Sequence, residues 1–175
     1  MPPSNIDVRS PSGLTEPSDS STGEPSGHAG PAAAAAAVDL VRWRQGLQLG
    51  FSRAIGLELQ KATAEEVSCE WVIDERHLQP GGIVHGGVYS SVVETCCSIG
   101  ALLAAPAGKT VVGVENHTSF LRAVRSGRLS ARAVPLQAGR RAQLWECNIL
   151  DEQRRLIATG RLRVLCIDAA VEQER

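Results

Sequence analysis

From His77 to Gly108 the chain runs 32 residues without a lysine or arginine, where its average composition would place about three, and Glu94 is the only carboxylate. The stretch opens with Leu78-Gln-Pro-Gly-Gly-Ile-Val-His-Gly-Gly87, whose four glycines and proline rule out regular structure throughout and mark a loop. It feeds a predicted helix from about Gly87 to Ala105, stopped by Pro106-Ala-Gly108. At 100° per residue Ser90, Ser91, Glu94 and Ser98 share one stripe, while Val92, Cys96, Ile99 and Leu103 occupy much of the other side. An exposed helix carries long charged side chains, whereas this polar side is made of small residues that permit close approach. Something therefore covers it, either a wrapped sheet or a second copy of the chain. A carboxylate without a nearby cation on a covered face points to function rather than to solvation.

His85-Gly86-Gly87 stands where that helix begins. The unsatisfied N–H groups and the positive end of the helix dipole face whatever approaches, and glycines let it come close, which is the outline of an oxyanion site. His85 fits two roles, a general base or a residue that fixes the loop by hydrogen bonds.

Around this unit the periodicity is mostly of strands. Ala33–Leu47 reads as a short helix, and Ile55–Gln60 and Val67–Val72 as two strands joined by a charged connection. After Thr110 come an alternating run through Phe120, then Arg128–Val134, Ala142–Leu150 and a final strand. In that last strand Leu156, Ala158, Gly160, Leu162, Val164 and Cys166 share one face and Thr159, Arg161 and Arg163 the other. The expected order is two strands, one long helix and an antiparallel meander of four, an α+β arrangement with the helix packed on one face of the sheet.

Composition sets the outer bounds. Residues 1–32 form a Ser/Pro/Gly-rich segment too poor in apolar side chains to fold and are expected to be a disordered tail. The 18 Lys+Arg against 19 Asp+Glu leave a net charge of −1, without the positive field that nucleic-acid or polybasic membrane binding needs. No signal sequence or membrane span is read, and a cytoplasmic location is expected. Cys69, Cys96, Cys97, Cys147 and Cys166 have no C-x-x-C spacing and apolar neighbours, as expected of small reduced core residues rather than disulfides or zinc ligands. Trp71 and Trp145 read as core or interface residues.

The run from Leu78 to Glu94, followed by Val111-Val-Gly-Val-Glu-Asn-His-Thr-Ser-Phe-Leu-Arg122, resembles the hotdog-fold acyl-CoA thioesterases, in particular the 4-hydroxybenzoyl-CoA thioesterase class with its helix-borne Glu and the phenylacetate-pathway type. The resemblance implies an α+β hotdog fold, an antiparallel β-sheet wrapped around a long central α-helix. It divides the chain into the tail at 1–32, a short helical segment at 33–50, the hotdog domain at 51–168 and a C-terminal tail at 169–175. It further implies hydrolysis of an acyl-CoA or aroyl-CoA thioester, no metal or redox cofactor since CoA is part of the substrate, and a homodimer assembling into a homotetramer with the site between subunits.

Residue by residue, the resemblance makes Glu94 the catalytic carboxylate, as nucleophile or general base. Gly86 supplies the N–H that polarises the carbonyl, Gln79 helps to hold the carboxylate or water, and Ser98 contributes a hydroxyl where the family has a threonine. His85 and Gly87 join the substrate-binding set. Arg122 falls near the nucleotide phosphates, and Gly139-Arg140-Arg141 at a turn where relatives contact CoA, two adjacent arginines being suited to phosphate. Two other readings are an enoyl-thioester hydratase or dehydratase, which would use a His/Glu dyad, and a non-catalytic acyl-CoA-binding regulator, which would have no need of Glu94.

Overall fold

The computed structural model describes residues 40–169, so the tails at 1–32 and 170–175 lie outside the described residues, as does the 33–39 part of the expected first helix. Residues 40–47 are helical (α1), followed by α2 (Gly50–Ile55), β1 (Glu58–Ala62), β2 (Val67–Val72), a 3-10 turn (Glu75–His77), α3 (Gly86–Leu103), β3 (Lys109–Phe120), β4 (Arg128–Ala138), β5 (Ala142–Asp151) and β6 (Leu156–Asp168). The six strands form one antiparallel sheet in the order β1-β2-β4-β5-β6-β3, with α3 packed against it. This is the hotdog arrangement.

Two local expectations are corrected. The first strand begins at Glu58, not Ile55, because Gly56 takes a left-handed conformation (φ 72°) and caps α2 with its N–H, leaving Ile55 as the buried last residue of a helix. The meander contains three consecutive strands, not four. β3 pairs with β6 and lies on the far edge, while β4 crosses to pair with β2, from Val67↔Ala133 to Val72↔Arg128. The crossing segment, residues 121–127, passes the N-terminal end of α3. It is tied there by Leu121 N–H to Ile157 O at 2.8 Å and Val84 N–H to Val124 O at 2.9 Å.

The core lies between the sheet and the inner face of α3. Val92, Val93, Cys96, Cys97, Ile99 and Ala101 of the helix meet Trp71, Leu129, Ala131, Trp145, Cys147, Ile149, Leu162 and Val164 of the sheet, all buried. Trp71 and Trp145 are fully buried, and Trp145 Nε1 donates to Gln143 Oε1 at 2.8 Å while Gln143 Nε2 donates to Ala101 O at 3.0 Å. All five cysteines are free thiols, four of them buried, and Cys96 Sγ donates to Cys69 Sγ at 3.2 Å.

Close approach of helix and sheet requires glycine at position 100, where a Cβ would stand 2.5 Å from Trp145 Cη2. Gly100→Ala gains helix propensity but overpacks a rigid ring, so a net loss of about 1–3 kcal/mol is expected, read as a lower midpoint in urea or heat. An unchanged midpoint would mean that the helix can shift away from Trp145 without loss.

Candidate active site

The loop before α3 is built by its backbone. Gln79 N–H donates to Ile83 O and Gly82 N–H to Gln79 O, both at 2.8 Å, with Gly82 at φ 72° making the reversal. Arg125 closes it from outside, its Nη1 donating to Gly81 O at 3.2 Å and Gly82 O at 2.9 Å. Arg125 was not singled out by its sequence position, since its carbonyl partners lie more than forty residues away.

His77 is the second support. It is buried, Nδ1 accepts from Asp74 N–H at 3.0 Å, and the proton left on Nε2 is donated to Ile55 O at 2.9 Å. Its carbonyl accepts from His85 N–H at 2.8 Å, so one residue joins α2, the 3-10 turn and the start of α3.

His85 is the N-cap of α3. Its Nδ1 accepts from Gly87 N–H at 2.9 Å, a capping bond that ties the ring to the helix start. The Gly86 N–H is one of the end groups for which a helix provides no acceptor, and Gly86 lines a cavity of about 470 Å³. Gln79, His85, Gly86, Gly87, Tyr89, Phe120 and Arg122 all line this cavity. A second cavity of about 550 Å³ lies on the other side of the loop, against Phe51 and Ala54 of α2, and shares Gln79, His85 and Gly87 with the first. The helix end therefore stands between two chambers. A groove of about 410 Å³ between α1 and β1 contains none of the residues singled out for chemistry.

The remaining residues are placed differently. Glu94 is exposed on the outer face of α3, with Ser90, Ser91 and Ser98 half-buried beside it. Of the two covers expected for this face, the sheet reaches only its edge, at Ser90, and leaves Glu94 uncovered among the described residues. Ser91 Oγ is committed to Gly87 O at 2.7 Å, and Asn116 Nδ2 reaches across from β3 to Ser90 O at 2.9 Å. Glu94 lies eight residues beyond Gly86, about 12 Å along the helix axis, too far for both to touch one carbonyl within a single chain.

The arginines do not gather at one mouth. Arg122 lines the Gly86 cavity, but the Gly139-Arg140-Arg141 turn sits at the other end of the sheet, where Arg140 and Arg141 line a cavity of about 490 Å³ with Lys109 and Cys166. Ala158 of β6 pairs with Phe120 near the first cavity, and Cys166 N–H donates to Arg141 O at the second. The eight residue steps of strand from Ala158 to Cys166 separate the two ends by about 26 Å. Sequence order did not disclose this, because the separation is a property of the strand pairing.

Sequence reading also missed Tyr89 and Phe120. Tyr89 is buried, which pushes its hydroxyl up to about 12, and its ring lies 5.9 Å from that of Phe120 at 44°. Its place on the helix N-terminal turn was visible in the sequence, but not the strand residue it meets.

Residues 81–158 match the family model described as the thioesterase superfamily. The proofreading thioesterase EntH of Cronobacter turicensis is 36% identical over 108 residues, covering 62% of this chain and 79% of that protein. Among solved structures, a thioesterase from Haemophilus influenzae superposes with a TM-score of 0.71 at 32% identity, covering 77% of this chain and 94% of the other. AziG of S. sahachiroi superposes with a TM-score of 0.67, also at 32% identity, over 69% of this chain and 98% of the other.

Proposed function

Because the chain belongs to the thioesterase superfamily and is a thioester hydrolase, we propose that it hydrolyses an acyl-CoA or aroyl-CoA to the free acid and CoA, at a site completed by two protomers. The observation that supports this reading is Gly86, the first residue of α3, lining a cavity with its N–H left without a helical acceptor. A thioester carbonyl placed there receives a fixed donor as negative charge develops on its oxygen.

Glu94 of the second protomer supplies the carboxylate. As a nucleophile it attacks the carbonyl carbon and expels the thiolate, giving an anhydride that water then opens; as a general base it takes the proton of the attacking water. Gln79 orients the carboxylate or water, and Ser98, one turn beyond Glu94, adds a hydroxyl from the same protomer as Glu94. His85 and Gly87 shape the donor end. The reaction needs no metal or redox cofactor.

The subunits join through β3, a 12-residue edge strand with Val112 and Val114 exposed, which offers a second copy a row of backbone groups to pair with. Dimers associate into a homotetramer. Arg122 serves the CoA phosphates at its own protomer's cavity, and Arg140 and Arg141, about 26 Å away, serve a CoA bound at another protomer's site. The hydratase reading is weaker, since His85 Nδ1 is occupied by Gly87 N–H and Glu94 lies two turns away on the same helix.

The test is release of free CoA from a panel of aliphatic and aromatic acyl-CoAs, followed with a thiol reagent. Hydrolysis of at least one member at a rate proportional to enzyme is expected. Hydration of enoyl-CoA with no thiol released from any thioester would overturn the reading.

A further inference from the structure

A carbonyl held at Gly86 has its two substituents pointing different ways, and the helix start stands between two chambers that share Gln79, His85 and Gly87. Their walls differ in charge. The chamber of about 470 Å³ carries Arg122. In the chamber of about 550 Å³ the one arginine, Arg76, is already held, its Nε donating to both carboxylate oxygens of Asp74 at 3.1 Å. Other polar groups there are committed as well. His77 uses both ring nitrogens, on Asp74 N–H and Ile55 O, and Ser91 Oγ donates to Gly87 O. Apart from Gln79 and His85 at the shared end, the rest of the wall is apolar: Phe51, Ala54 and Ile55 of α2 with Leu78, Pro80 and Val88.

The short helix α2 shapes this wall. Positions 51, 54 and 55 fall at i, i+3 and i+4 and so share a face. The C-terminal end is fixed, since Ile55 is buried, its carbonyl accepts from His77 Nε2 at 2.9 Å and Gly56 caps the turn. At the other end there is no side-chain cap, and Phe51 is 67% exposed, a large ring with the chamber on one side and solvent on the other.

We propose that the α2 chamber takes the acyl group, with Phe51 and Ala54 as specificity-determining residues, and that the substrates are thioesters of neutral, apolar acyl or aroyl groups. This rests on the thioester-hydrolase site described above. With Arg122 in the first chamber, the CoA arm leaves on that side and the acyl group enters the other. A carboxylate at the far end of the acyl group would lose its water and meet no unpaired cation on this wall, which makes dicarboxylic acyl groups poor substrates. An apolar acyl group instead removes the Phe51 ring from water.

The experiment measures kcat/KM by thiol release for acyl-CoAs of increasing length and for pairs of equal length ending in a methyl or a carboxylate, such as hexanoyl-CoA and adipoyl-CoA. The same acyl groups are presented as N-acetylcysteamine thioesters, which lack the nucleotide, and as non-hydrolysable CoA thioethers for Kd by calorimetry. Full-length wild type, Phe51→Ala and Ala54→Trp are compared; both positions are exposed in the protomer, so both variants are expected to keep the wild-type melting temperature. The wild type should prefer the methyl-ended member by at least about tenfold in kcat/KM and Kd. In both variants the loss should grow with acyl size, reaching about tenfold for the bulkiest apolar groups, and should recur with the N-acetylcysteamine thioesters. A loss equal for every acyl length, or one that disappears without the nucleotide, would assign the α2 chamber to CoA and overturn the proposal, as would equal rates for hexanoyl-CoA and adipoyl-CoA. If no thioester is hydrolysed but the thioether Kd values depend on acyl length and both variants abolish that dependence, the chamber assignment stands while the proposed reaction falls.

Discussion

Glu94→Gln and Glu94→Ala are expected to lose at least about a hundredfold in turnover with acyl-CoA substrates while keeping the melting temperature of the wild type. The two halves of that expectation have separate grounds. Removing one positioned carboxylate takes away either the nucleophile or the base, and neither the amide of glutamine nor the methyl of alanine replaces it at neutral pH. Folding of the protomer is spared because within one chain the side chain is exposed on the outer face of α3, and surface substitutions away from packed or hydrogen-bonded features fall within about 0.5 kcal/mol. Glutamine preserves the shape, so its loss of rate isolates the charge and proton chemistry from packing between protomers. Steady-state CoA release and a thermal melt on the same preparations check both halves. Undiminished turnover in Glu94→Gln would remove Glu94 from the mechanism.

What the sequence disclosed and what it withheld divide along physical lines. The loop from Leu78 to Gly87, the helix after it and the strand Val67–Val72 were legible because each is specified locally: by glycine and proline, by the proline stop after Ala105, and by alternation with period two. Glu94 was legible because a lone carboxylate in 32 residues without a cation breaks the local composition. The position of β3 was not, since pairing with β6 rather than β4 depends on where α3 delivers the chain and on β2 offering its edge to β4. The Tyr89–Phe120 contact, the Arg125 clamp and the distance between Arg122 and Arg140 are consequences of that same pairing. Each joins residues that no periodicity connects. His77 is an instructive intermediate case: its histidine was visible, but its role required Ile55 to end a helix instead of starting a strand.

Mixing two inactive variants is expected to restore activity. Gly86→Ala introduces a Cβ against the Phe120 ring and disturbs the donor end, and Glu94→Gln removes the carboxylate; each alone is expected to fall at least about tenfold, the second much further. If, as proposed, each site of a two-fold dimer takes Gly86 from one protomer and Glu94 from the other, a mixed dimer has one fully native site and one doubly altered site. Random exchange of equal amounts makes about half of the dimers mixed, which gives about one quarter of the wild-type activity. The helix geometry is the ground for this expectation. Two turns of α3 set Gly86 and Glu94 about 12 Å apart in one chain, and no side chain of glutamate length closes that gap. Gln79→Ala in place of Gly86→Ala keeps the experiment informative if the packing at Gly86 impairs folding, because Gln79 lies on the same protomer's loop and leaves the helix intact. The mixture is equilibrated under conditions that exchange subunits, with exchange confirmed by mass or by a tag on one partner. Activity that stays at the sum of the two parents after confirmed exchange would place Gly86 and Glu94 in separate functions and leave the site within a single protomer.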